Sequence, residues 1–199
     1  YSSCASATSL SSGTITCGYT ANTTLTAADA TGYTFVGWYN SSGTRQTTSK
    51  TLSINPTADA TYYAYYKKNQ YTVNFGVHSS GHGSLTAKVG ITSITSGNKV
   101  NYGSEVVFTA SPSTGYRIQG WYSDADCTNS LNNSTNQIYT INPLTTNADV
   151  YVKYEEIPET KFAVTIQTNN PNYGTVSPSG SQQVGASGIE IEATAKYGY

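Results

Sequence analysis

One motif recurs in this chain at a fixed interval. It reads Gly32-Tyr33-Thr34-Phe35-Val36-Gly37-Trp38-Tyr39, then Gly115-Tyr116-Arg117-Ile118-Gln119-Gly120-Trp121-Tyr122, and it begins again at Gly198-Tyr199. Tyr33, Tyr116 and Tyr199 stand 83 residues apart, and so do the two tryptophans. A period of this size describes an array of small similar units, not one large core. The flanks keep the spacing. Leu25-Thr26-Ala27, Phe108-Thr109-Ala110 and Ile191-Glu192-Ala193 precede the motif, and Leu52-Ser53-Ile54-Asn55-Pro56 and Tyr139-Thr140-Ile141-Asn142-Pro143 follow the first two copies. Each complete unit closes on an alternating strand, Tyr62-Tyr63-Ala64-Tyr65-Tyr66 or Val150-Tyr151-Val152-Lys153-Tyr154. Upstream, Gly83-Ser84-Leu85-Thr86 matches Gly174-Thr175-Val176-Ser177 at a spacing of 91, so the third copy is eight residues shorter before position 189.

The units therefore read as 1–69, a first repeat with an atypical N-terminal hairpin; 70–156, a second and complete repeat; and 157–199, the N-terminal half of a third. Polar segments, Lys67 to Gln70 and Glu155 to Lys161, separate them. Linkers this short predict modules arranged end to end with limited freedom. The third unit stops before its tryptophan and closing strand, so open strand edges are expected there, with the rest of the repeat following Tyr199.

The fold class is mainly β. No stretch carries apolar residues at helical spacing, whereas Tyr71, Val73, Phe75 and Val77 alternate with polar neighbours, as do Val106, Phe108 and Ala110. Turn residues punctuate these runs, among them Ser79-Ser80-Gly81, Ser96-Gly97-Asn98 and Asn172-Tyr173-Gly174. About six short strands per unit make a small β-rich module, β-grasp-like or a small β-sandwich.

Composition narrows the function. Only 11% of residues are charged, against about a quarter in typical soluble domains. The net charge of −1 gives no reason to expect nucleic acid as a partner. No apolar run approaches the roughly 20 residues that span a bilayer, so no membrane insertion is expected in this segment. Solubility rests on Ser, Thr, Asn and Gln, a composition that points to secretion. The segment around Cys4 and Cys17 reads as a hairpin centred near Leu10 and Ser11, which would set the two cysteines opposite each other. Directly opposed residues have Cβ atoms about 4.5–5.5 Å apart, near disulfide range. The competing readings are reduced thiols throughout, or Cys4 as a lipid-attachment residue, for which Tyr1-Ser2-Ser3 is a poor leader.

The motif Gly-Tyr-x-apolar-x-Gly-Trp with an aromatic-ended closing strand resembles the Listeria–Bacteroides repeat family, which includes the internalin B-repeat and its divergent relatives. The first unit's Gly32 to Tyr39 with Tyr62 to Tyr66 resembles the first branch. Gly174 to Gly180 and Ile189 to Tyr199 look like the divergent branch. The resemblance implies tandem β-grasp-like modules of bacterial cell-surface or secreted proteins that work as stalks or binding modules. It brings no catalytic residues. The physical reading of the motif agrees, since Tyr and Trp bury large area in a unit too small to have much else for a core. Trp38, Trp121, Tyr33 and Tyr116 are accordingly expected to be structural.

Other constellations were weighed for chemistry. His78 and His82 flank a Ser-Ser-Gly turn and are read as an exposed hairpin tip. Asp124 and Asp126 precede Cys127 in a loop that lacks the further acids of a calcium site. Glu155, Glu156 and Glu159 are spread along an extended linker. No metal or cofactor is expected, and no polar cleft of clustered ionisable groups argues for an enzyme. Tyr63 and Tyr65 share one face of their strand, opposite Tyr62 and Tyr66, and form the candidate ligand surface. The expected function is an adhesin, stalk or protein-interaction region whose partner is a host or bacterial surface protein or a glycan. The alternative is a carbohydrate-binding accessory module using exposed tyrosines. That alternative is favoured if two or three rings line one open face.

In oxidised protein, Cys4 and Cys17 are expected to be bonded, closing a loop that stabilises by roughly 3 kcal/mol in the chain-entropy account. Non-reducing peptide mapping tests this, and two free thiols contradict it.

Overall fold

The computed structural model describes residues 22–132 and 134–198. Cys4 and Cys17 lie outside the described residues. The chain divides into two compact units, residues 1–155 and 156–199. The described residues are strands and connections, with no helix among them.

The second repeat shows the architecture most fully. Its strands are β6 (Gln70–Val77), β7 (Gly83–Val89), β8 (Thr92–Ile94), β9 (Asn98–Asn101), β10 (Val106–Pro112), β11 (Tyr116–Tyr122), β12 (Ser130–Asn132), β13 (Ile138–Ile141) and β14 (Ala148–Glu156). One sheet has the order β13-β10-β7-β8, the other β12-β11-β14-β6-β9. Of the two architectures expected, this is the sandwich. The closing strand β14 runs parallel to the opening strand β6, with Val150 beside Phe75, so the repeat's two ends are neighbours. Alternation in both sheets sends Val73, Val106, Phe108, Ile118, Val150 and Val152 into one shared core. Phe75 of one sheet meets Phe108 of the other edge-on at 5.8 Å.

Trp121 lies at the centre and is 0% exposed. Its ring stacks on Tyr139 of the opposite sheet at 5.4 Å, and its Nε1–H donates to the Asn136 carbonyl at 3.0 Å. The closing strand adds a second tie. The Tyr154 hydroxyl donates to the Ser84 carbonyl on β7 at 2.6 Å.

The described part of the first repeat repeats this pattern in β1 (Thr23–Thr26), β2 (Tyr33–Asn40), β3 (Arg45–Thr47), β4 (Thr51–Ile54) and β5 (Tyr62–Lys68). The pairs β1–β4, β2–β3 and β2–β5 correspond to β10–β13, β11–β12 and β11–β14. Trp38 is 4% exposed within a cluster of Leu25, Ala27, Phe35, Leu52, Ile54 and Tyr66. Its Nε1–H donates to the Lys50 carbonyl at 3.0 Å, and the Tyr66 hydroxyl to the Ala28 carbonyl at 2.6 Å. Tyr33, expected to be structural, is instead 40% exposed and belongs to neither core cluster. It sits at the strand's entry, beyond the first core row, which begins at Phe35. Its counterpart Tyr116 is half-buried, packed against the core cluster and stacked on the His82 ring at 4.0 Å.

The segment between the two repeats is a joint. Asn69 alone separates β5 from β6; its N–H donates to Gly32 at 2.9 Å and its carbonyl accepts from Tyr102 at 2.8 Å. The Tyr102 ring occupies the space beside Gly32, where a Cβ would lie 2.0 Å from it. Glycine is therefore required at position 32 both by its φ of +79° and by this close approach.

The second unit holds β15 (Phe162–Ile166), β16 (Gly174–Ser177), β17 (Gly180–Val184) and β18 (Glu192–Ala195). β16 pairs with β18 in the register of β7 on β10. Gly174 faces Ala195 as Gly83 faces Pro112, and Val176 faces Ala193 as Leu85 faces Ala110. β15 pairs with β17 as β6 does with β9. Val164, Ile189 and Ile191 are exposed, whereas their second-repeat counterparts Val73, Val106 and Phe108 are fully buried.

Trp121→Ala should cost about 3–5 kcal/mol, a large share of the stability of a small domain. Trp121→Phe keeps a ring but leaves the Asn136 carbonyl without its donor, and should cost less. Denaturant unfolding followed by circular dichroism measures both. A loss under about 1 kcal/mol for the alanine variant contradicts the anchoring role.

Candidate functional site

Burial alternates along β5. Tyr62, Ala64 and Tyr66 turn toward the core, while Tyr63 and Tyr65 are 50% and 56% exposed. The β2 register sets Tyr39 beside Tyr63 and Gly37 beside Tyr65. On the other side of β2, Tyr39 pairs with Arg45 of β3. Three tyrosines and an arginine thus share the outer face of one three-stranded sheet. The Tyr39 and Tyr65 rings meet edge to face at 4.8 Å, an attractive geometry for two aromatic quadrupoles.

Gly37 makes this arrangement possible. The β2–β5 register shifts between Phe35 and Gly37, a bulge that re-aims the strand. A Cβ at position 37 would lie 2.6 Å from the Thr47 carbonyl and 3.1 Å from Cδ of Arg45. The arginine stem lies over the bare glycine backbone. Lys67 faces Thr34 in the next row and is also exposed.

The same positions differ in the second repeat. Ser130 pairs with Tyr122 where Arg45 pairs with Tyr39. Lys153 stands for Tyr65, and Tyr151 lies against Gly76 of β6, within 3.2 Å of where a Cβ would be. Glu155 stands for Lys67 and accepts from the Arg117 guanidinium at 2.7 Å. Tyr122 and Tyr151 keep two of the ring positions, so what belongs to the first repeat is the third ring, Tyr65, with Arg45 and Lys67 beside it. Tyr63 and Tyr65 were legible from strand alternation. Tyr39 and Arg45 were missed, although Tyr39 follows an inward Trp38 and so had to point outward.

The remaining expectations resolve into structural contacts. His78 Nδ1 lies 2.9 Å from the Ser80 hydroxyl across the turn, and His82 is held on Tyr116. Asp124 is committed to its own loop, accepting from the Thr128 N–H at 3.0 Å, the Asn129 N–H at 2.7 Å and the Thr128 hydroxyl at 2.8 Å. These bonds hold its carboxyl below the usual range. Cys127, at φ 52° in that loop, is buried. Burial pushes its thiol up to about 11; Asp124 and Asp126 add to the shift, against Lys153. A shallow depression of about 370 Å³ beside Tyr139, Ile141 and Leu144 has Asp149 as its only charged side chain. Among the described residues, no three His, Cys, Asp or Glu side chains gather as a metal site would require.

The family model of the divergent InlB B-repeat domain matches residues 4–70 and 72–158. The chain belongs to this family, a repeat typical of bacterial surface or secreted proteins. No curated protein and no solved structure matches the chain.

The raised thiol makes Cys127 a slow nucleophile, because only the thiolate reacts readily. Native protein at pH 8 should react slowly with an aromatic disulfide reagent, and at once after unfolding. The unfolded thiol ionises near 9.0 and the folded one near 11, so this contribution to stability is complete below pH 9 and is lost as pH rises toward 11. Rapid stoichiometric labelling of the native protein contradicts the assignment.

Proposed function

We propose that the chain is a non-catalytic interaction region of a bacterial cell-surface or secreted protein, with the tyrosine face of the first repeat as its contact surface. The supporting observation is the exposure of Tyr63 and Tyr65 beside a half-buried Tyr39 on one sheet face, where the second repeat carries Tyr122, Tyr151 and Lys153. Exposed aromatic clusters on modules with well-filled cores are a common form of interaction site. The partner is a surface protein or a glycan of the host or the bacterium. The repeats act as scaffold and spacer.

Carbohydrate recognition is the second reading, and the same observation favours it: rings gathered on one sheet face, with phenol hydroxyls that can donate to or accept from sugar hydroxyls. Binding of the chain to arrayed matrix proteins and glycans tests both readings. A Tyr63→Ala/Tyr65→Ala variant should lose at least about tenfold in affinity for any ligand found, with an unchanged melting temperature. Undiminished binding by that variant contradicts the contact face. A chain that binds neither array contradicts the interaction role and leaves extension alone.

A further inference from the structure

The charges around the tyrosine face are one-sided. Residues 1–69 carry four basic side chains, Arg45, Lys50, Lys67 and Lys68, and two acidic ones, Asp29 and Asp59. The rest of the chain is net acidic, since the total is −1. Lys50 is paired with Asp29. Arg45 and Lys67 lie on the face itself, and neither has a carboxylate partner among the described residues. Residues 1–21 contain no Asp or Glu. The second repeat has Ser130 for Arg45 and, for Lys67, Glu155 neutralised by Arg117, so the Arg45–Lys67 pair, like the third ring Tyr65, belongs to the first repeat.

We infer that this face binds an anionic saccharide, a chain of sugar rings bearing carboxylate or sulfate groups. The inference rests on the contact face proposed above. Tyr39, Tyr63 and Tyr65 offer rings against which the apolar face of a pyranose packs, and phenol hydroxyls able to donate to or accept from sugar hydroxyls. Arg45, with its stem fixed over Gly37, and Lys67 sit on either side of the rings and meet the acidic substituents. An acidic peptide has the same charge, but peptide recognition uses a sheet edge, a groove or a pocket. Here the groups lie on the open face of paired strands, a surface suited to flat rings.

Calorimetric titration of the whole chain with three probes tests the inference: a uronic-acid oligosaccharide, a neutral oligosaccharide of equal length, and a glutamate-rich peptide of equal charge. The uronic-acid probe should bind, more weakly as salt rises. The neutral probe should be weaker by about tenfold, since it forgoes two exposed charge contacts. The peptide should not bind measurably. Three variants place on the face what the second repeat already carries: Arg45→Ser, Tyr65→Lys and Lys67→Glu. Native melting is therefore expected for each and is measured alongside. Arg45→Ser and Lys67→Glu should weaken uronate binding. Tyr65→Lys should also weaken it despite the added positive charge, because a ring is lost. Equal binding of the neutral probe overturns the anionic assignment while leaving the contact face intact. Tighter uronate binding by Tyr65→Lys, or equal binding of the peptide, reduces the effect to bare charge and overturns the saccharide. If no probe binds, and a partner found on the arrays still requires Tyr63 and Tyr65, the saccharide alone is refuted. If the tyrosines matter to no ligand, both readings fall.

Discussion

Each of the first two repeats turns on one indole. Trp38 and Trp121 sit in the strand that faces the closing strand, and each donates its N–H to a carbonyl just ahead of the next core strand, at Lys50 or Asn136. A unit of this size has few large side chains to bury, so a single ring of such area decides whether the core closes. The indole's polar atom is satisfied in both cases, so burial carries no penalty for an orphaned donor. The closing tyrosines, Tyr66 and Tyr154, add the second fixed point, each bonded through its hydroxyl to backbone elsewhere in the repeat. With the inner face committed to these anchors, the outer face of the same sheet is free to vary, and it differs between the two repeats.

That division explains where function is read. Strand β5 carries Tyr62 and Tyr66 inward for stability, and Tyr63 and Tyr65 outward. Gly37 serves the surface in a different way. It lets the stem of Arg45 lie over the backbone of β2. In the second repeat the same positions carry Tyr151 over Gly76 and an Arg117–Glu155 ion pair, a surface consumed by its own contacts.

Much of this was legible in the sequence, and the missing part has a common cause. The strands β6, β7, β10 and β14 follow from alternation, and the anchors from two tryptophans at a fixed interval. The second repeat has nine strands where about six were expected; two of the extra ones, β8 and β12, three residues each, are defined by pairing and not by any pattern of their own. The parallel pairing of β14 with β6 joins residues 75 apart. The His82–Tyr116 stack and the Tyr102 ring at Gly32 are also contacts between distant segments, and no local pattern announces them. For the site, alternation identified Tyr63 and Tyr65. Arg45 could not be found that way, since its place depends on a bulge and on a glycine on the neighbouring strand.

The central claim is that both tryptophans are enclosed in repeat cores, and their own fluorescence tests it most directly. With Trp38 4% and Trp121 0% exposed, the native protein should emit at short wavelength and resist quenching by acrylamide. Unfolding should move the emission to the red and open both rings to the quencher. Native emission already at the water-exposed wavelength, with a quenching constant unchanged by denaturant, would contradict the account.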